Sequence, residues 1–184
     1  MGLRPLDIEV KVDSKKELLS ETDTQGVITY ANENFVELSG YSEAELVGSP
    51  HNILRHIDMP KTVYKLLWDN LKTGKPYKAI VQNKRKDGKY YWVYSEYEPL
   101  FDKTKNLRGF RSKRFPVPKK ALEEVETIYK KLLHLEETKS QKEAEQFLEL
   151  KLHNDGYHDY AEFVEAIFNK KLKGLLGFFG KLFG

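Results

Sequence analysis

One turn constrains the fold of this chain more than any other feature. Lys86-Asp87-Gly88-Lys89 separates Lys78–Lys84, which alternates apolar and polar residues, from Tyr90–Leu100, which is rich in aromatic residues. An Asp-Gly pair between two such runs is a strong hairpin signal, and it predicts a turn of the primed type. A second polar turn, Asp102–Asn106, leads into Leu107–Val117, a last strand stopped by Pro116 and Pro118. Three antiparallel strands in succession therefore end this part of the chain. Whatever precedes them must complete the sheet and cover it.

The upstream residues do both. Leu18–Asp23 and Val27–Ala31 read as two short strands around a tight turn at Thr24-Gln25-Gly26. Asn32–Gly40 reads as a short helix ended by its glycine, and Ser42-Glu43-Ala44-Glu45 is a capping box opening a one-turn helix that stops at Gly48. Val63, Leu66, Leu67 and Leu71 share one face of a longer helix that ends near Gly74. Strands, then short helices, then strands predict an α+β domain, a single antiparallel sheet with its helices gathered on one face. A ligand would sit between the two layers.

The predicted boundaries are an N-terminal arm or cap over 1–16, a domain over 17–118, a helical extension over 119–170 and a tail over 171–184. In the arm, Ile8, Val10 and Val12 alternate with polar residues, so it is expected to pack on the domain or on a dimer mate. In the extension, Leu122, Val125, Tyr129 and Leu132 are spaced as a short seam, Ser140–Glu143 caps a second helix with Ala144, Phe147 and Leu148 inward, and Asp159 caps a third.

Between the one-turn helix and the longer one lies the stretch Pro50–Pro60. It gathers His51, Asn52, Arg55, His56, Asp58 and Met59 into eleven residues bounded by prolines. Pro60 biases Met59 away from helical backbone, and Asp58 is expected to cap the helix that follows. Donors and charges are thus delivered to one place.

Composition narrows the function classes. The chain has no cysteine, which excludes disulfides, thiolate metal sites and a thiol nucleophile. Its 31 basic and 28 acidic residues are too balanced for a nucleic-acid binder. No apolar run reaches the roughly 18 residues of a membrane span, and no secretory leader pattern is present, so a cytoplasmic location is expected. No paired carboxylates, activated nucleophile or phosphate loop is recognisable, so no enzyme is expected.

Read together, Tyr30–Phe35, Leu38-Ser39-Gly40-Tyr41-Ser42 and Glu45-Leu46-Val47-Gly48 resemble the front of a PAS domain, and Lys84–Gly88 with Tyr91-Trp92-Val93 resembles its central hairpin. The resemblance covers about residues 17–117. Pro50-His51-Asn52, Arg55-His56, Asp58-Met59-Pro60, Trp68 and Ile80–Lys86 make it more specific, because together they are similar to the PAS domains of bacterial aerotaxis receptors. That family binds FAD and reads its redox state to steer swimming. The resemblance implies that Asn32, Arg55, His56, Asp58, Trp68 and Asn83 help to hold a non-covalent flavin, with His51, Asn52 and Met59 beside them. Two positions depart from the family pattern: Ile57 stands where it has proline, and Tyr77 where it has tryptophan. Aerotaxis receptors continue into a membrane span and a signalling coiled coil, which this sequence does not show. The resemblance therefore implies the soluble half of a bipartite energy-taxis system, whose partner is a membrane chemoreceptor of the methyl-accepting type, with a homodimer as a further expectation.

Physically, Arg55 suits the phosphates of FAD, while Trp68 and Met59 suit the walls around its ring. Asn83 suits flavin N5, which accepts a hydrogen bond when oxidised and donates one when reduced, because an amide can turn over to serve either state. Taken singly, each residue also has an ordinary use. His51 and His56 can cap loop carbonyls, Arg55 can form a surface ion pair, Trp68 can be core, and Asn83 can be an unremarkable strand residue. A ligand-free adaptor is the alternative, as is a haem-based gas sensor using His51 or His56 as axial ligand. Arg108, Arg111, Lys113 and Arg114 on the last strand read first as protection of a sheet edge, and second as a docking surface. The tail, with four lysines and no acid over 170–184, suits a membrane-surface anchor or a helix packed back on the protein.

Overall fold

The three tight turns of the sheet share one geometry. At Asp23–Val27, Arg85–Lys89 and Asp102–Asn106 the first residue's amide bonds the last residue's carbonyl, at 2.9, 2.7 and 2.9 Å. The fourth residue of each is left-handed: Gly26 at φ 84°, Gly88 at φ 86° and Lys105 at φ 66°. These are three-residue loops, a type I turn followed by a left-handed residue. The primed turn expected at Asp87-Gly88 does not form, because Gly88 alone has positive φ and a type I′ turn needs two such residues. The longer loop lets Asp87 Oδ1 accept from Lys89 N at 3.1 Å. Asp23 and Asp102 use their carboxylates in the same way.

In the computed structural model, which describes residues 6–169, the chain divides at Pro116/Val117 into two units. The first contains strands β1 (Leu18–Asp23), β2 (Ile28–Ala31), β3 (Tyr77–Lys84), β4 (Tyr90–Phe101) and β5 (Leu107–Pro116), with helices α1 (Glu33–Ser39), α2 (Glu43–Leu46) and α3 (Lys61–Leu71). A 3₁₀ turn, His51–Leu54, precedes α3. The strands form one antiparallel sheet in the order β2-β1-β5-β4-β3.

That order overturns one expectation. β5 is the central strand, so its basic residues protect no edge. Arg111 instead holds Glu21 through Nε and Nη2 at 2.9 and 2.6 Å, and Arg114 turns inward. The true edges are covered locally. Arg55 bridges Asn83 along β3, Val27 bridges Pro50 beside β2, and the amide of Ile28 donates to Ser49 O. The N-terminal arm packs on its own domain: Leu6 N bonds Gly88 O, Tyr90 N bonds Ile8 O, and Val10 N bonds Tyr90 O. It occupies the β4 edge that β5 leaves beyond Pro116.

The helical layer is seated by a buried cluster of Ile28, Ala31, Phe35, Leu46 and Leu54. The β3–β4 turn clasps its rim. Arg85 Nη1 donates to the carbonyls of Glu37 and Leu38, supplying a positive charge at the C-terminus of α1, which has no basic residue of its own in its last turn. Lys86 pairs with Glu45 of the α2 capping box. Asp58 does not cap α3. The residue preceding the helix is Pro60, so Asp58 lies two positions too early and is exposed.

The second unit holds α4 (Lys119–Thr138), α5 (Gln141–Asn154) and a third helix, α6, over 160–169. Val125, Leu132, Ala144, Leu148, Tyr160 and Val164 are buried in it, and the Tyr129 and Tyr160 hydroxyls bond each other. The expected seam is rotated: Ala121 and Ile128 are buried, whereas Leu122 is only partly so. Ser140 caps α5 and Asp159 caps α6, as their sequences predict. The tail over 171–184 lies outside the described residues.

Candidate functional site

Alternation along the strands fixes which side chains face the helices. Asn83 pairs across the sheet with Tyr91, and Val81 with Val93. Ala79, Ser95, Arg114 and Leu18 form one cross-sheet row. Tyr77, Tyr97, Ser112, Ser20 and Ala31 form the next. Phe35 of α1 and His51 of the 3₁₀ turn meet Arg114, and Trp68 of α3 meets Phe110, so these rows are the inner face. Six of its residues are polar and buried or nearly so: Ser20, Asn83, Tyr91, Ser95, Ser112 and Arg114. An interior this polar is unusual for a face whose only task is packing.

Arg114, 2% exposed, dominates it. Its guanidinium lies 4.2 Å from the centre of the Phe35 ring. Nη2 donates to Ser20 Oγ at 3.0 Å and to His51 Nε2 at 2.9 Å, and Nη1 reaches Ser112 O at 3.3 Å. Because arginine can only donate, Nε2 of His51 must accept, and the proton sits on Nδ1. Burial, with Arg114 beside it, holds His51 at a pKa of about 3, so the ring is neutral at ordinary pH. Burial also pushes Tyr91 up to about 12, with Arg114 pulling the other way. A His51 tied to a cation through Nε2 is a poor candidate for a haem ligand.

The residues singled out in the sequence do not all converge. Arg55, Met59 and Asn83 gather along β3. Arg55 pairs its backbone with Asn83 and lays its guanidinium 4.4 Å from the Tyr64 ring centre, and Met59 Sδ lies 3.2 Å from Gln82 N. Asn83 is buried, and Nδ2 makes one long contact, 3.4 Å to Tyr91 Oη. His56 accepts from Asp58 N at 3.2 Å through Nδ1, so its proton is on Nε2, which is buried without a partner. Its ring lies against Tyr90, a residue of the opposite sheet face, with centroids 5.4 Å apart. Burial lowers the His56 pKa against the opposing pull of Asp58. Asn52 is exposed on the 3₁₀ turn. Trp68 lies over Gly26, where a Cβ would come within 2.7 Å of its ring, and edge-on to Phe110. It thus closes the β1–β2 end of the inner face.

Asn32 has a structural task. Its Oδ1 accepts from Phe35 N at 3.0 Å and Leu19 N at 3.1 Å, and its Nδ2 donates to Glu17 O at 2.8 Å. One side chain caps α1 and fastens it to β1. Asn32→Ala is expected to cost about 2 kcal/mol in chemical denaturation, the loss of a cap plus the stranded amide of Leu19; Glu17 O keeps the bond from Asn34 Nδ2.

The sequence assigned no site role to Ser112, Ser20 or Tyr91, and placed Arg114 at a sheet edge. The period-2 pattern of β5 put Ser112 and Arg114 on one face with Phe110, but Leu107 and Phe115 lie on the other, so alternation alone did not say which face turns inward.

The polar inner face under a helical layer, on a five-stranded sheet of this order, defines the PAS fold, and residues 28–112 match the family profile described as PAS fold. The first unit has the PAS fold, and its sequence is similar to that of an aerotaxis receptor. It is 44% identical over 115 residues to the aerotaxis receptor of Escherichia coli K12, covering 62% of this chain and 22% of that protein. It is 32% identical over 83 residues to the biofilm dispersion protein of Pseudomonas aeruginosa, covering 45% of this chain and 20% of the other. The chain thus spans about a fifth of the length of these relatives. Among solved structures, the light state of the Aureochrome1 LOV domain superposes with a TM-score of 0.52 at 21% identity, covering 55% of this chain and 82% of that one. Among the described residues no helix is long and apolar enough to cross a membrane.

Proposed function

We propose that this protein is a redox sensor of energy taxis, a non-catalytic PAS protein that holds FAD on the inner face of its sheet and passes the cofactor's state to a membrane chemoreceptor. Similarity to the E. coli aerotaxis receptor supports the sensory role. The observation that carries the cofactor reading is Asn83: an amide buried at 3% exposure, held by one 3.4 Å contact, on the face covered by helices. A buried amide with that little bonding is poised for a ligand. Buried polar atoms without protein partners fit the same reading, at Arg114 Nε and Ser112 Oγ on the same face.

Bound there, FAD would supply two-electron redox chemistry and a ring whose hydrogen-bonding changes with reduction. The chain's part is to hold and read it. Asn83 serves either state by turning its amide over, and its backbone pairing with β4 and with Arg55 links that turn to the sheet and to the loop before α3. Arg55, which forms no ion pair among the described residues and is stacked on Tyr64, suits a phosphate. The output passes to the 119–170 helices, and a cytoplasmic location follows from the partner's signalling side.

The test is the absorption spectrum of purified protein, with chromatography of whatever heat releases. Flavin bands and released FAD are expected. A Soret band would move the reading to haem, and colourless protein that takes up no FAD would leave an adaptor. Asn83→Ala should weaken FAD binding about 10-fold, the worth of one buried hydrogen bond, as read by flavin fluorescence titration.

A further inference from the structure

Arg114 carries a charge that the protein does not answer. No carboxylate lies within ion-pairing distance of it among the described residues, and the groups around it are a serine hydroxyl, a neutral imidazole, a backbone carbonyl and the face of a phenyl ring. The three acceptors take up both hydrogens of Nη2 and one of Nη1 but supply no negative charge. Nε is buried with no partner, as is the hydroxyl of Ser112, two residues away on the same face. Burying a cation without a counter-charge is among the most costly arrangements a core can hold. Its register neighbours, Ser95 and Leu18, carry no charge to meet it. Neighbouring arginines are handled differently: Arg108 and Arg111 both find Glu21 on the opposite face.

We infer that Arg114 is a ligand-binding residue whose counter-charge is supplied by the ligand: with Ser112, it receives the acceptor edge of a planar heterocycle, a carbonyl oxygen beside a ring nitrogen able to carry negative character. This rests on the flavin reading for the ligand's identity, but not for the role of the residue. Two features favour an edge over a free anion. Phe35 occupies one face of the guanidinium, and His51 and Ser20 occupy Nη2, so the remaining approach to Nε lies in the guanidinium plane.

The test compares full-length wild type, Arg114→Met and Arg114→Lys, each stripped of cofactor, by thermal melting without and with added FAD. Cofactor-free Arg114→Met is expected to melt no lower than wild type, and about 3 °C or more higher if the unpaired charge is as costly as its surroundings indicate. Its affinity for FAD should fall about 100-fold, and that of Arg114→Lys less, since lysine keeps the charge without the planar fork. A cofactor-free Arg114→Met that melts well below wild type would overturn the proposal by making Arg114 structural, and so would unchanged FAD affinity. If wild type itself takes up no flavin, the flavin reading fails, and the cofactor-free melting of Arg114→Met still decides the role of the residue. A higher melting temperature then supports a ligand-paired charge and a lower one overturns it.

Discussion

Gly109→Ala is expected to destabilise the first unit by at least about 3 kcal/mol, seen as a shift of the denaturant midpoint with little change in slope. Gly109 lies in the central strand, opposite Asp23 of β1 and Leu100 of β4. A Cβ there would fall deep inside van der Waals contact with the carbonyl oxygen of Thr22, 3.0 Å from its carbonyl carbon and 3.1 Å from the Cα of Asp23. All three obstacles are backbone, so no rotamer change relieves them. β1 must move away from β5, and six register pairs from Leu18↔Arg114 to Asp23↔Gly109 depend on that approach. The substitution should also loosen the inner face, because Phe110, Ser112 and Arg114 follow Gly109 on the same strand. A variant within 1 kcal/mol of wild type would mean that the strands are not this close.

Acid should weaken the protein well before its carboxylates titrate. The folded-state pKa of His51, about 3, lies below the ordinary 6.5, because burial and Arg114 oppose its protonation. Between those two values the unfolded chain binds a proton that the folded one refuses, so stability rises with pH across that window. The contribution is complete above about pH 6.5 and is lost progressively as pH falls toward 3. Each unit is worth about 1.4 kcal/mol, giving about 2 kcal/mol lost by pH 5, somewhat less where water reaches the ring. His56, lowered by its own burial, adds in the same direction. His51→Gln keeps an acceptor for Arg114 but does not titrate, so its stability should fall less between pH 7 and 5. An identical acid slope in both proteins would remove His51 as the cause.

Much of the architecture was legible because its causes are local. Ser42 with Glu45, Ser140 with Glu143 and Asp159 with Glu162 cap helices through bonds within four residues, and each helix starts where those residues predict. Gly26 and Gly40 take the left-handed conformations that end β1 and α1. Where one residue could alter the outcome, prediction slipped. Asp58 lost the cap of α3 to Pro60, and Asp87-Gly88 closed a three-residue loop in place of a primed two-residue turn.

The candidate site was legible only in outline. Asn83 and Arg55 were singled out and do meet, whereas Asn32 is occupied in joining α1 to β1, and Asn52 faces outward. Arg114 was read first as edge protection because it belongs to a basic run on its strand, which the sheet order places in the centre.

The sequence by itself determined the elements, their order and the alternation that gives each strand two faces, since these depend on neighbours within a few residues. Only the tertiary structure decided that the last strand inserts between the first and the fourth. Strand order rests on pairings between residues some 90 positions apart, such as Ser20 with Ser112, and no local pattern encodes them. That insertion carries Arg114 from an expected edge into the interior, where its charge stands beside His51 and Phe35 without a carboxylate to meet it.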